Sequence, residues 1–256
     1  MSDQNPKPAV SFVVPALNEE GNIEAAVKNI LQAGGHSCRD FEIILVNDGS
    51  TDRTGAIMDE LAARHKMVRV VHNEHNSGYG GAFKKGAAVA QKEFVIRVCG
   101  DDVSPAESLE TILSQAGKAD LVLPYLINPE IRPWGRRFGS WGFTTLINTL
   151  FGQRVRYYNH CVVFRRDNLE AITIRTNGFV YQAEAVVKLL KAGCSYVEVS
   201  TYDVPRLHGS SSALRPKNLF ICFRAVYELV WEVRRPGSIP NFSAKRPASA
   251  PSKQEI

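Results

Sequence analysis

An α/β fold, built on a mostly parallel sheet flanked by helices, is predicted for this chain of 256 residues by three observations. Short aliphatic and β-branched runs alternate through the first half with segments whose apolar residues recur at helical spacing. Strands joined by helices in this way pair in parallel, because each connection crosses over the sheet. Three of the runs also end in dense polar clusters, "PALNEE", "NDGSTD" and "CGDDVS". Ligands of such sheets sit beyond the carboxyl ends of the strands, so the three clusters are expected to share one edge and face one crevice.

The elements follow in order. "VSFVVPAL" from Val10 is the first strand, and "EEGNIEAAVKNILQAG" the first helix, which stops near Gly34 and Gly35. "FEIILVND" is the second strand. "TGAIMDELAARH" is the second helix, with Thr51 or Asp52 as its N-cap. "VRVVHN" and "GGAFKKGAAVAQ" supply the third strand and helix. "EFVIRVCGDD" is the fourth strand, and "PAESLETILSQA" the helix after it, with Pro105 near its start. "DLVLPYLI" is the fifth strand. From about Asn128 the chain is less regular, and "RPWGRRFGSWGFTTLINTLFGQRVRYYNH" is rich in arginine and aromatic residues. "GFVYQAEAVVKLLKAG" reads as a helix, "SYVEVSTYDVPR" as a strand, "HGSSSALRPKN" as a polar loop and "LFICFRAVYELVWEVRR" as a closing helix. The tail, residues 236–256, is rich in Pro, Ser and Lys and is expected to be disordered. Residues 1–235 are expected to form one domain.

The net charge of +5 suits an anionic partner: a phosphorylated ligand, nucleic acid or an anionic membrane face. The basic residues form no recognised nucleic-acid module, which argues against that partner. Five cysteines, an odd number without CxxC spacing, read as scattered thiols in a reducing compartment. The N-terminal residues lack a basic stretch followed by an apolar one, and no run of about 18 uncharged apolar residues occurs. A cytoplasmic protein without a secretory signal or transmembrane helix is therefore expected, either free or peripheral on the cytoplasmic membrane face.

Each polar cluster has a plain reading and a functional one. The acids of "PALNEE" suit a helix N-terminus, and Asp48 and Ser50 suit the orphan N–H groups of the next helix. Asp101 and Asp102 are harder to explain that way, because adjacent carboxylates repel and a cation beside them relieves the repulsion. Mg²⁺ and similar hard cations take one or two carboxylates plus substrate phosphates. "NSGYGGA" departs from the glycine-rich phosphate loops and reads as backbone passing close to a ligand or to another segment.

Together, "VVPALNEEGNI", "EIILVNDGSTDRT", "NSGYGGAFKKG" and "VCGDDVSPAE" resemble the inverting family 2 glycosyltransferases, in that family's order and spacing. The resemblance covers residues 10–125 and implies a GT-A (Rossmann-like) nucleotide-sugar fold. The implied donor is a GDP- or UDP-sugar, held by Pro15, Ala16, Asn18, Glu19, Asp48, Gly78, Lys84, Gly100, Asp101 and Asp102. The implied cofactor is Mg²⁺ or Mn²⁺, on Asp101 with Asp102. Asp101 matches the second acid of the family's DxD motif. Cys99 stands where the first is expected, and Asn47 where an acid usually opens the DDGS motif.

The second half, the acceptor side from residue 126 to 235, resembles more loosely the dolichol-phosphate mannose synthase-like and polyprenyl-phosphate branch. The matching pieces are "YYNHCVVFRRD", "GFVYQAEAVVKLLKAG" and "EVSTYDVPRLHGSSS". This resemblance implies a lipid-phosphate acceptor, held by Arg136, Arg137, Arg206, His208, Ser211 and Lys217. It gives Glu184 a catalytic place, orienting a substrate or acting as base if the acceptor is a hydroxyl. Two apolar helical segments, "SWGFTTLINTLFG" and residues 219–235, read either as core or as membrane-surface helices beside a basic patch. A soluble glycosyltransferase acting on a hydroxyl is the alternative within the class. A non-catalytic nucleotide-sugar-binding protein is the alternative outside it. A nucleotidyltransferase would carry a glycine-rich basic loop where "PALNEE" stands.

Overall fold

A computed structural model describes residues 6–101, 103–206, 216–242 and 253–255, with the side chains of 216–219 and 253–255 outside the description. The first half alternates as expected: β1 (Ala9–Ala16), α1 (Ile23–Ser37), β2 (Asp40–Asn47), α2 (Thr54–Arg64), β3 (Val68–His72), α3 (Tyr79–Ala88), β4 (Phe94–Arg97), α4 (Ala106–Leu113) and β5 (Leu121–Leu126). A short 3₁₀ turn (Pro129–Ile131) leads into α5 (Trp134–Phe151), β6 (Val163–Arg165), α6 (Arg166–Glu170), α7 (Tyr181–Lys191), β7 (Tyr196–Thr201), α8 (Pro216–Arg234) and β8 (Lys253–Glu255).

The sheet order among the described residues is β3-β2-β1-β4-β6-β5-β7-β8. All neighbours are parallel except β6, which runs antiparallel between β4 and β5. The fold is thus α/β with a mostly parallel sheet. The chain leaves β1 toward β2 on one side, and β4 lies on its other side. The loops after β1 and β4 therefore diverge and open a crevice at their carboxyl ends.

Both sheet faces are covered, so the central strands are largely buried; all eight residues of β1 are buried, while the outer strand β3 is mostly half-buried. Val10, Phe12 and Val14 pack with Ile23, Val27 and Leu109 of α1 and α4. Val13 faces the other layer, with Phe83 of α3, Ile147 of α5 and Tyr181 of α7. Ser11 is a buried exception on β1, and its hydroxyl donates to Glu42 Oε1 at 2.7 Å.

Two pieces of the tail fall among the described residues. Phe242 packs on the α7-side core, and its N–H donates to the Ala192 carbonyl at 2.8 Å, giving the end of α7 a partner. Residues 253–255 run parallel to β7. The remainder of the tail lies outside the described residues.

Candidate active site

The three acidic and amide clusters meet at one edge, and they lace one another together. Asn18, at φ 56°, is the one described non-glycine residue with positive φ. Its N–H donates to Ser50 Oγ, and its Oδ1 accepts from Thr51 N at 2.9 Å. Glu19 N donates to Thr54 Oγ1, and Arg53 N donates to Glu20 Oε2. Asp52 Oδ1 accepts from Thr54 N, which makes Asp52 the acceptor at the α2 N-terminus. Burial raises the Asp52 carboxyl, but hydrogen bonds from Thr54 and Glu20 outweigh it and hold the group below its usual range. Gly100 lets the third cluster close on the first: a Cβ there would lie 2.9 Å from Ala16 Cβ. Ala16 supplies its carbonyl to Asp48 N at 3.0 Å, while Pro15 lies within the β1–β2 ladder.

Asp48 remains at the end of β2, buried. Its Oδ1 takes three bonds, from Asn73 Nδ2, Ser77 N and Ser77 Oγ, all at 2.7–2.8 Å. One carboxylate oxygen therefore fixes the loop between β3 and α3. Asn47, which stands in place of an acid, accepts from Ser50 N and meets His72 Nδ1 at 3.1 Å. The neutral amide thus closes the turn without placing a second charge beside Asp48.

The contacts give two donor-side residues a different task. At Gly78 (φ 82°) a Cβ would fall 2.6 Å from the Asn177 carbonyl, and that carbonyl accepts from Gly80 N at 2.8 Å. The glycine-rich stretch is therefore packed against residue 177, and the α3 N-terminus is capped by protein. Lys84 donates to the carbonyls of Ile174 and Arg175, fastening the same loop. Asp102, His208 and Ser211 lie outside the described residues, as does the side chain of Lys217.

Glu184 is likewise committed. Its Oε1 accepts from Arg175 N at 2.8 Å and Oε2 from Thr176 N at 3.0 Å. Lys188, also buried, donates to Glu184 Oε1 at 2.6 Å, to Glu232 Oε1 at 2.9 Å and to the Thr173 carbonyl. A buried carboxylate with three donors is poorly placed to accept a further proton. It ties α7 to α8 and to the 173–176 loop.

Beneath the third cluster lies a residue the sequence reading passed over. Arg97, on β4, is buried, and among the described residues no carboxylate pairs with it. Its guanidinium donates to Gln182 Oε1 (3.2 Å), Cys99 Sγ (2.7 Å), the His160 carbonyl (2.6 Å) and the Tyr79 hydroxyl. Burial pushes the Cys99 thiol up to about 12, against the lowering effect of Arg97, so the thiol is neutral at pH 7. The position at which the resemblance leads one to expect an acid thus holds a neutral group resting on a buried cation. The signal was present: an arginine inside the otherwise apolar run "EFVIRV".

The segment after β7 completes the crevice. Val204 N donates to the Val103 carbonyl, and Ser108 Oγ to the Tyr202 carbonyl. Asp203 accepts from Arg132 Nη2 at 2.7 Å and pairs with His160 Nε2 at 3.1 Å. Burial raises the Asp203 carboxyl, but His160 and Arg132 outweigh it and keep the group below the usual carboxylate range. Its stabilising share is therefore present above the unfolded pKa, about pH 4, and is lost as pH falls through the lower folded value. Asp203→Asn is expected to cost roughly 2 kcal/mol at pH 7. Urea midpoints of the two proteins should converge below about pH 4; a gap independent of pH would show that the charge is not involved.

Arg206, three residues on, donates to both Glu19 oxygens (2.6 Å to Oε2), and its Nη1 lies 3.6 Å from Asp101 Oδ2. Asp101 Oδ1 is buried without a hydrogen-bond partner among the described residues. Arg136 is half-buried and Arg137 exposed on the first turns of α5, and neither guanidinium has a partner among the described residues. Arg132, on the turn that opens α5, is tied to Asp203, which sets the start of that helix beside the crevice.

Beyond the crevice, α5 and α8 pack together and leave aromatic side chains in solvent. Trp134, Phe138 and Trp141 stand on α5, and Phe220, Phe223, Tyr227 and Trp231 on α8; Trp134 is 81% exposed. Ile147 and Phe151 of α5, with Val226 and Leu229 of α8, face the core instead. Each helix thus combines a core side with an unpartnered aromatic side. No helix among the described residues is long and apolar enough to cross a membrane.

Comparison with known proteins agrees with this architecture. The family described as Glycosyl transferase family 2 matches residues 11–173, well over half of the chain. The chain is 30% identical to the EpsH protein of Bacillus subtilis over 238 residues, covering 86% of this chain and 67% of EpsH. It is 29% identical over 201 residues to the polyprenol monophosphomannose synthase of Mycolicibacterium smegmatis, covering 73% of this chain and 74% of that one. It is 35% identical over 111 residues to the glycosyltransferase GlyG of Streptococcus pneumoniae, but spans only 36% of GlyG. Among solved structures, glucosyl-3-phosphoglycerate synthase of Mycobacterium tuberculosis in complex with Mn²⁺, UDP and phosphoglyceric acid superposes with a TM-score of 0.62. That match is at 19% identity and covers 90% of this chain and 80% of the other. The matched family, together with a crevice built from its sequence clusters, identifies this chain as a member of glycosyl transferase family 2.

Proposed function

We propose that this protein transfers a sugar, with inversion, from a nucleotide-diphosphate sugar to a polyprenyl phosphate at a membrane surface. The observation that carries the reading is the pair of helices α5 and α8. They expose seven large aromatic side chains, and the first turns of α5 also carry Arg136 and Arg137. The aromatic side chains cluster along each helix, Phe138 with Trp141 and Tyr227 with Trp231, and exposed apolar surface of this kind marks an interaction site. Aromatic residues beside arginines suit the boundary between headgroups and acyl chains. A lipid phosphate needs both a surface on which its chain stays in the membrane and cations for its head. Similarity to the polyprenol monophosphomannose synthase supports the same acceptor class.

The buried state of Glu184 points the same way. A hydroxyl acceptor needs a general base, and Glu184 is occupied by three donors. A phosphate acceptor is already an anion. In this mechanism its oxygen attacks the anomeric carbon from the face opposite the leaving group, the bond to the nucleoside diphosphate breaks, and the configuration inverts. Arg136 and Arg137 hold the acceptor phosphate, with His208, Ser211 and Lys217 from the segment before and at the start of α8 assigned to the same anion. Asn18, Glu19, Asp48 and the 15–16 backbone line the nucleoside.

The residues present fit a divalent cation. Asp101 offers a buried oxygen with no hydrogen-bond partner among the described residues, and Glu19 lies across the same arginine. Oxygen donors of this type suit Mg²⁺ or Mn²⁺. Asp101, with Asp102, would hold the ion, which when bound supplies charge for the departing diphosphate. Arg97 adds a fixed positive charge beneath the same point.

The test is which acceptor takes a labelled sugar. Polyprenyl phosphate in anionic vesicles is expected to be labelled, and water-soluble sugars or peptides are not.

A further inference from the structure

We propose that Arg206 is a resident counter-ion that a divalent cation displaces, and that the displaced guanidinium then serves the leaving diphosphate. This rests on the reading of Asp101 as a metal ligand. Charged groups from three segments distant in sequence meet at this side chain. Glu19 comes from the loop after β1, Asp101 from the loop after β4, and Arg206 from the segment after β7. The guanidinium contacts both Glu19 oxygens and stands 3.6 Å from Asp101 Oδ2. All three groups are largely shielded, with 13–21% of each side chain exposed.

The centre is incompletely satisfied in this state. Among the described residues two carboxylates face the Arg206 guanidinium, and Asp101 Oδ1 has no hydrogen-bond partner. A divalent ion among the same oxygens balances both charges and gives the orphan oxygen a ligand bond. It cannot share the position with the guanidinium, because like charges at this separation repel strongly in a shielded site. Once displaced, Arg206 presents a planar fork of donors suited to phosphate oxygens. Metal and nucleotide are then coupled. The ion binds weakly alone because it must evict Arg206, and more tightly when a diphosphate gives Arg206 a new partner.

Mn²⁺ binding followed by electron paramagnetic resonance, with and without GDP or UDP, tests this in the full chain. Arg206→Gln is expected to bind Mn²⁺ alone about five- to tenfold more tightly than the native protein. The gain on adding the nucleoside diphosphate should shrink. Arg206→Lys, which keeps a charge but not the fork, should fall between the two. Unchanged or weaker Mn²⁺ binding in Arg206→Gln overturns the counter-ion role. If Asp101→Asn loses Mn²⁺ in the same experiment, the metal site itself still stands. Mn²⁺ affinity that Asp101→Asn leaves untouched overturns the metal reading together with the role of Arg206.

Discussion

Asp101→Asn is expected to lower kcat/KM for sugar transfer by about a hundred- to a thousandfold, the scale of losing one main stabiliser of transition-state charge. Its melting temperature should stay within a few degrees of the native value. The two halves of this expectation have one cause. Asp101 holds a buried oxygen with no hydrogen-bond partner among the described residues and a second oxygen only loosely paired with Arg206. An ionised carboxylate kept so poorly satisfied contributes little to folding, and neutralising it relieves repulsion from Glu19. Groups of this kind are retained for chemistry at some expense of stability. A variant that transferred sugar at the native rate in the presence of Mg²⁺ or Mn²⁺ would remove Asp101 from the mechanism.

Arg97→Ala should do the reverse first: it should destabilise the fold. The guanidinium is 4% exposed and bonds to groups on four segments, Gln182, Tyr79, Cys99 and the His160 carbonyl. Truncation takes away the shared donor of the Tyr79 hydroxyl, Gln182 Oε1 and the His160 carbonyl and leaves a cavity. A loss of about 3–5 kcal/mol is expected, or about 10 °C in melting temperature for a domain of this size. Arg97→Lys should recover little, because one ammonium cannot span acceptors arranged for a planar fork. Activity should fall as well, since β4 carries Cys99 and Asp101 from the same strand end. Differential scanning calorimetry decides this. A melting temperature equal to the native one would mean that the network forms around Arg97 without depending on it.

The fold was legible where each strand is buried on both faces. Runs such as "SFVV" and "EIILV" leave little choice but a central parallel strand, and the intervening helices announce themselves by period. β6 was not legible. Only Val163–Arg165 pair, inside an aromatic and basic stretch, and it is the gap between β4 and β5 that gives those three residues partners. The crevice was legible as a set of clusters, because sheet topology brings strand ends together whatever their side chains do. Individual roles were less so. Asp48 is occupied by Asn73 and Ser77, Lys84 by carbonyls 90 residues away, and Glu184 by Lys188 and the 175–176 backbone. Those partners are set by packing, and spacing along the chain does not reveal them. Arg97 was readable in principle, since a charge within a buried strand must be compensated by its surroundings.

The most direct measurement follows labelled sugar from GDP- and UDP-sugar donors into polyprenyl phosphate. The acceptor is presented either as a long chain in anionic vesicles or as a short, water-soluble chain. Native protein should label both. A protein carrying Trp141→Ser, Phe223→Ser and Trp231→Ser should label the short chain normally and lose most transfer to the vesicle-bound acceptor. These side chains are exposed and lie away from the acidic centre, so the expected defect is in docking and not in chemistry. Equal labelling of both acceptors by the variant would contradict the membrane surface. Label appearing only in water-soluble hydroxyl acceptors would contradict the acceptor assignment itself.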